Sequence, residues 1–219
     1  MGFVYVANGD DDTVSVIATS TNSVIATIDV GDLGFSLGVV ITPDGKFVYV
    51  GNEFDNTLSV IATSTNSVIA TIDVGDLDFV QVGLVITPDG KFVYVTNQDD
   101  ATVSVIATST NSVIATIDVG DLSFPVGMVI TPDGKFVYVA NDNDNTVSVI
   151  ATSTNSVIAT VPVGDDPDTI VTTPDGKFVY VANEIDNTVS VIATSTNSVI
   201  ATIDVGDLSF PVGMVITPK

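Results

Sequence analysis

The 219-residue chain contains no cysteine, no histidine and no tryptophan. Their absence removes disulfides, thiolate and imidazole metal sites, haem ligation, and every nucleophile that depends on a His or Cys partner. Base is scarce as well: five lysines and no arginine stand against 27 acids, for a net charge of −22. A phosphate backbone or an anionic leaflet would be repelled, so neither nucleic acid nor a membrane surface is an expected partner. No apolar run approaches the ~18 residues a spanning helix needs. Met1-Gly2-Phe3 opens directly into a strand-like segment with no basic or apolar leader, so no signal peptide and no membrane insertion are expected. What remains is 45% hydrophobic, only 15% charged, and has a mean hydropathy of +0.51. Such a chain can build its own core, and most of its elements are expected to be buried on both faces.

Self-similarity dominates the rest. Tyr5, Tyr49, Tyr94, Tyr138 and Tyr180 sit in the same Phe-Val-Tyr-Val context about every 44 residues, a period of propeller blades or solenoids. Within a unit the apolar stretches are short and rich in Val and Ile, as at 127–131, 136–139, 146–150 and 157–161. Between them lie Thr-Pro-Asp-Gly-Lys, Asn-Asp-Asn-Asp-Asn and Thr-Ser-Thr-Asn-Ser, whose side chains favour reversal of the chain. Each unit therefore reads as four antiparallel strands, A to D. A lone sheet with apolar side chains on both faces is not stable, whereas radial stacking buries both faces. The expectation is an all-β, five-bladed β-propeller of four-stranded antiparallel blades, a single domain over residues 1–219. Because the chain starts at strand B and ends in strand A, residues 212–217 are expected to pair with Phe3–Val6 and close the ring.

Tyr94-Val95-Thr96-Asn97 spells YVTN, with Tyr-Val-Ala-Asn at 5–8, 138–141 and 180–183 and Tyr-Val-Gly-Asn at 49–52. With Thr-Pro-Asp-Gly-Lys ahead of four of these motifs, the whole chain resembles the YVTN-type β-propeller repeat family. That resemblance implies a propeller scaffold from prokaryotic surface-layer or extracellular proteins, mostly without assigned catalysis. The chain departs from the family in its small number of units and in their identity. Thr-Val-Ser-Val-Ile-Ala-Thr-Ser-Thr-Asn-Ser-Val-Ile-Ala-Thr stands verbatim at 13–27, 102–116, 146–160 and 188–202, which speaks for recent amplification or design.

Strand parity assigns each loop to one of two faces. The A-to-B turns, with Lys46, Lys91, Lys135 and Lys177, share one face with the invariant C-to-D turns. The B-to-C turns and D-to-A loops share the other, which carries the variation and most of the acid. Such a field attracts cations and basic partners, although high charge also serves solubility alone. Four D-to-A loops read Gly-Asp-Leu with an aromatic two places on (Phe35, Phe79, Phe124, Phe210), expected to tuck between blades as an apolar latch. The fourth, Gly164-Asp165-Asp166-Pro167-Asp168, is shorter and has lost both Leu and Phe. Asp165, Asp166 and Asp168, with Glu184 and Asp186 of the next turn, make a candidate cation site for Ca²⁺ or a basic ligand, since clustered carboxylates repel one another. Against this, Asp and Asn are also what tight turns require. Paired carboxylates acting as acid and base would need burial, and these lie on loops beside water.

The sequence thus supports a non-catalytic structural or interaction module without a cofactor, monomeric, and, by the resemblance, extracellular or cell-surface. The alternative is a cation-dependent or hydrolytic site on the acidic face.

Overall fold

The computed structural model describes residues 2–34, 38–77, 82–120, 124–206, 211 and 213–217. Five antiparallel sheets follow one another along the chain. The first holds β1 (Phe3–Asn8), β2 (Thr13–Ala18) and β3 (Ser23–Asp29). The second is β4 (Val39–Ile41), β5 (Phe47–Asn52), β6 (Thr57–Ala62) and β7 (Ser67–Asp73), and the third is β8 (Leu84–Ile86), β9 (Phe92–Asn97), β10 (Thr102–Ala107) and β11 (Ser112–Asp118). The fourth runs β12 (Pro125–Ile130), β13 (Phe136–Asn141), β14 (Thr146–Ala151) and β15 (Ser156–Pro162). The fifth is β16 (Pro167–Thr172), β17 (Phe178–Asn183), β18 (Thr188–Ala193) and β19 (Ser198–Asp204). Among the described residues there is no α-helix, and no helix is long and apolar enough to cross a membrane. Each sheet is a simple meander, as four short Val- and Ile-rich runs separated by tight turns require.

Four of the sheets have four strands and the first has three. The described part of the C-terminal segment, 211 and 213–217, carries no strand, and among the described residues β1 pairs with β2 alone. The expected pairing of residues 212–217 with Phe3–Val6 is therefore not formed, and residue 212 lies outside the described residues.

The sheets pack face to face in chain order, with one apolar cluster at each junction. Val14, Val16, Ile28 and Leu33 meet Val48, Val50 and Ile61 between blades one and two. Tyr49, Leu58, Ile72 and Leu77 meet Val82, Val93, Val95 and Ile106 between two and three. Corresponding residues fill the junctions of blades three with four and four with five. A hydrogen bond accompanies each cluster: the tyrosine hydroxyl of one blade donates to the Oδ1 of an asparagine in the C-to-D turn of the next. The pairs are Tyr5–Asn66 (3.2 Å), Tyr49–Asn111 (2.8 Å), Tyr94–Asn155 (2.8 Å) and Tyr138–Asn197 (2.7 Å). Those asparagines hold φ between 48° and 49°, a left-handed turn position that Asn tolerates well. Burial pushes the Tyr49, Tyr94 and Tyr138 hydroxyls up to about 12, so they remain donors at any physiological pH.

Burial on both faces holds for strands B and C of blades two to five but not for D. A register shift in every C-to-D hairpin leaves one isoleucine opposite no partner, and Ile25, Ile69, Ile114, Ile158 and Ile200 are each about half exposed on the rim. The four A strands β4, β8, β12 and β16 line an axial cavity of about 260 Å³. They approach so closely that a Cβ at Gly83 would lie 2.1 Å from the Val126 carbonyl oxygen, and one at Gly127 2.2 Å from that of Asp168.

Candidate functional site

The two faces treat aspartate in opposite ways. In the Thr-Pro-Asp-Gly-Lys turns, Asp44 accepts from the Thr42 hydroxyl (2.7 Å) and the Lys46 amide (3.1 Å) and pairs with the Lys46 ammonium at 2.8 Å. Lys46 and Lys91 hold the Asp44 and Asp89 carboxyls down to about 2. Hydrogen bonds from Thr131 and Thr173, with the neighbouring lysines, lower Asp133 and Asp175 likewise. Every described lysine is spent in this way, at the end of the blades remote from the B-to-C turns.

On the other face the turn acids act first as backbone acceptors. The last residue of a B-to-C turn receives an amide of the following D-to-A loop: Asp12 Oδ1 from Leu33, Asn56 Oδ1 from Leu77, and Asn145 Oδ1 from Asp166, each at 2.9 Å. A second acid staples the loop from the following blade: Asp55 takes the Asp32 amide, Asp100 that of Asp76, and Asp186 that of Asp165. Glycine at 31, 75 and 164 is needed here, because a Cβ would lie 2.5–2.7 Å from these carboxylates.

These bonds place Asp166 where Leu33 and Leu77 stand. Both leucines are fully buried and belong to the inter-blade clusters, so leucine is the latch. The expected aromatic latch is not what the described loop shows: Phe124 is only half-buried, at φ 45°, because its carbonyl is needed by the Asp142 amide. Phe35, Phe79 and Phe210 lie outside the described residues.

The five acids singled out in the sequence fall into two groups. Asp186 is a staple, and Asp165 accepts from the Asn145 side-chain amide at 2.9 Å. Asp166, Asp168 and Glu184 act on a fourth acid that is not among the sequence candidates, Asp142 in the B-to-C turn of blade four. Partial burial, a hydrogen bond with the Asp166 carboxyl, and the charges of Asp166, Asp168 and Glu184 push Asp142 up to about 7. Burial, with charge from Asp166, raises Asp168 and Glu184 too, while the Thr169 hydroxyl bond partly offsets the rise at Asp168. The notch between blades four and five thus raises the proton affinity of Asp142 above that of an ordinary carboxylate. This corrects the expectation that the acids of this face lie beside water, since Asp142 and Asp168 are half-buried. Among the described residues no three acids are grouped so as to hold a metal ion. A carboxyl that keeps its proton near neutrality can donate, accept, or release that proton when a cation arrives.

Sheet order, blade stacking and axial cavity define a β-propeller. The family model described as lactonase, 7-bladed β-propeller matches residues 3–117 and 118–216, and the chain belongs to that family. Among solved structures, hydrazine synthase of Kuenenia stuttgartiensis is similar at 28% identity and a TM-score of 0.72, over 81% of this chain and 51% of that one. The chain thus spans about half the length of that protein. A functionally unknown protein of Desulfotomaculum acetoxidans DSM 771 is similar at 23% identity and a TM-score of 0.80, over 95% and 68% of the two chains. Virginiamycin B lyase of Staphylococcus aureus gives 14% and 0.80, over 96% and 69%. The last two likenesses concern the fold alone. Comparison with curated protein sequences finds no match.

Proposed function

We propose that this chain is a non-catalytic interaction module, a YVTN-type propeller scaffold multiplied from one unit by amplification or design, whose acidic face engages a basic partner. The observation that carries this reading is the distribution of charge: Asp142, Asp166, Asp168 and Glu184 act on one another between blades four and five, where burial and mutual repulsion push Asp142 up, while every described lysine is engaged at the opposite end of the blades. A lysine or arginine side chain entering the notch would displace the Asp142 proton and relieve the repulsion. The module needs no cofactor on this reading, and Ca²⁺ is the competing occupant. Placement outside the cell, or on its surface, follows from the resemblance of the repeats.

A hydrolytic reading is favoured by two observations, the lactonase family match and the raised proton affinity of Asp142, which suits a general acid. Calorimetric titration with a lysine-rich peptide, and separately with Ca²⁺, tests the first reading. The peptide should bind, weaken as salt is raised, and bind roughly tenfold less well to the variant carrying Asp166→Asn and Asp168→Asn. Equal affinity for parent and variant would place recognition elsewhere on the face. Turnover of a simple lactone that is lost on Asp142→Asn would replace this reading with the hydrolytic one.

A further inference from the structure

Each junction between blades is built from two halves, and the molecule leaves one of each unused. On the leading side of blade two, Val48 and Val50 are fully buried against Ile28 of blade one. Their counterparts in blade one, Val4 and Val6, are 47% and 39% exposed. On the trailing side, Ile28, Ile72, Ile117 and Val161 are 3–5% exposed, whereas their counterpart in blade five, Ile203, is 44% exposed. Among the described residues, Tyr180 makes none of the inter-blade hydrogen bonds made by the other four tyrosines, and Asn22, at φ 51° in the first C-to-D turn, receives none.

Residues 213–217 complete the picture. They lie across a cavity of about 600 Å³ from Val171, Phe178 and Tyr180, where strand A of a following blade would stand. They repeat the pattern of Gly83-Leu84-Val85-Ile86-Thr87, yet Val215 is 95% exposed and Gly213 has nothing within 4 Å of its would-be Cβ. Residues 213–217 therefore stand beside blade five in the pattern of a strand A, and among the described residues β1 of blade one has no strand A beside it.

We propose that these two open half-junctions are filled by a second copy of this chain, joined head to tail. Residues 213–217 of one copy pair with β1 of the next in the register of β8 with β9, where Leu84, Val85 and Ile86 face Val95, Tyr94 and Val93. Met214 then faces Val6, Val215 faces Tyr5 and Ile216 faces Val4, while Tyr180 donates to Asn22 of the second copy. The interface is continuous with four already present in the chain and needs no new chemistry. Closure within one chain would require five blades of a seven-bladed family to meet, and the four packed junctions would all have to open their angle. Joining a second copy leaves them as they are. The contact is heterologous, so it extends beyond a dimer as concentration rises.

The absence of cysteine makes the test clean. Val4→Cys and Ile216→Cys are made in separate full-length chains, mixed, and oxidised gently. The proposal predicts a mixed disulfide dimer formed at least tenfold faster than in a control mixture of Ile25→Cys with Ile216→Cys. It also predicts a light-scattering mass for the parent that rises with concentration, and a several-fold weaker association for Tyr180→Phe. A parent that stays monomeric at every concentration overturns the proposal. So does a chain carrying both Val4→Cys and Ile216→Cys that yields only an internally cross-linked monomer.

Discussion

Two loops cross the same place in the repeat and end in opposite chemistry. Residues 75–77 hang from Asn56 and Asp100 and deliver Leu77, fully buried, into the junction of blades two and three. Residues 164–166 hang from Asn145 and Asp186 by the same two bonds and deliver Asp166 beside Asp142. The two bonds are shared, but Asp166 stands at φ 61°, a left-handed position that Leu77 does not take, so the loops differ in that side chain and in the backbone that carries it. An apolar residue there seals the blades, and an acid opens a charged notch. A repeat protein can thus acquire a site at one junction while the others keep the scaffold together.

Exchanging the two residues gives the largest effects. Leu77→Asp should lose on the order of 4 kcal/mol of stability, from lost burial and an unpaired buried carboxyl, as read by denaturant unfolding. Asp166→Leu should return Asp142 toward the usual carboxylate range with little net gain in stability, because leucine is strained at φ 61°. Unchanged stability in Leu77→Asp, or an Asp142 that still titrates high in Asp166→Leu, would mean that this position does not decide between seal and notch.

The pH dependence follows from the direction of the shift. Asp142 binds its proton more tightly folded than unfolded, so it costs stability above pH 7, and that cost disappears as pH falls from about 7 to about 4. With solvent screening of a half-exposed group, the span is on the order of 1 kcal/mol. Thermal melts of the parent should therefore show stability rising from pH 8 to pH 5, and Asp142→Asn should flatten that slope. The lysine-bearing face acts in the opposite sense: Asp44 and Asp89, held at about 2, contribute above pH 4 and lose that contribution only below it. The smallest effect belongs there. Lys91→Ala removes an exposed ion pair of 2.8 Å and should leave the thermal midpoint unchanged within error, because such pairs are worth little in water.

How much of this the sequence discloses depends on the range of the contact. Strands and turns are local, so the Phe-Val-Tyr-Val spacing and the Pro-Asp-Gly-Lys and Asn-rich turns give blades, order and faces directly. The short fourth loop is equally legible as the break in the pattern. Asp142 is not, because it meets Asp166 only where a D-to-A loop folds back over the B-to-C turn of the preceding blade. Nor is the latch: Leu33 and Phe35 look equally suitable on paper, and the amide bond from Leu33 to Asp12 selects the leucine. Ring closure is legible as a pairing pattern, but whether the ends meet depends on the angle between blades, which side-chain types alone do not encode.

The most direct test of the account is the titration of the Asp142 carboxyl itself, followed by carbon NMR of aspartate-labelled protein and assigned with Asp142→Asn. The account predicts a midpoint near 7 in the free protein that moves down by at least one unit when a lysine-rich peptide is added. A carboxyl that titrates near 4 and does not respond to the peptide would contradict it.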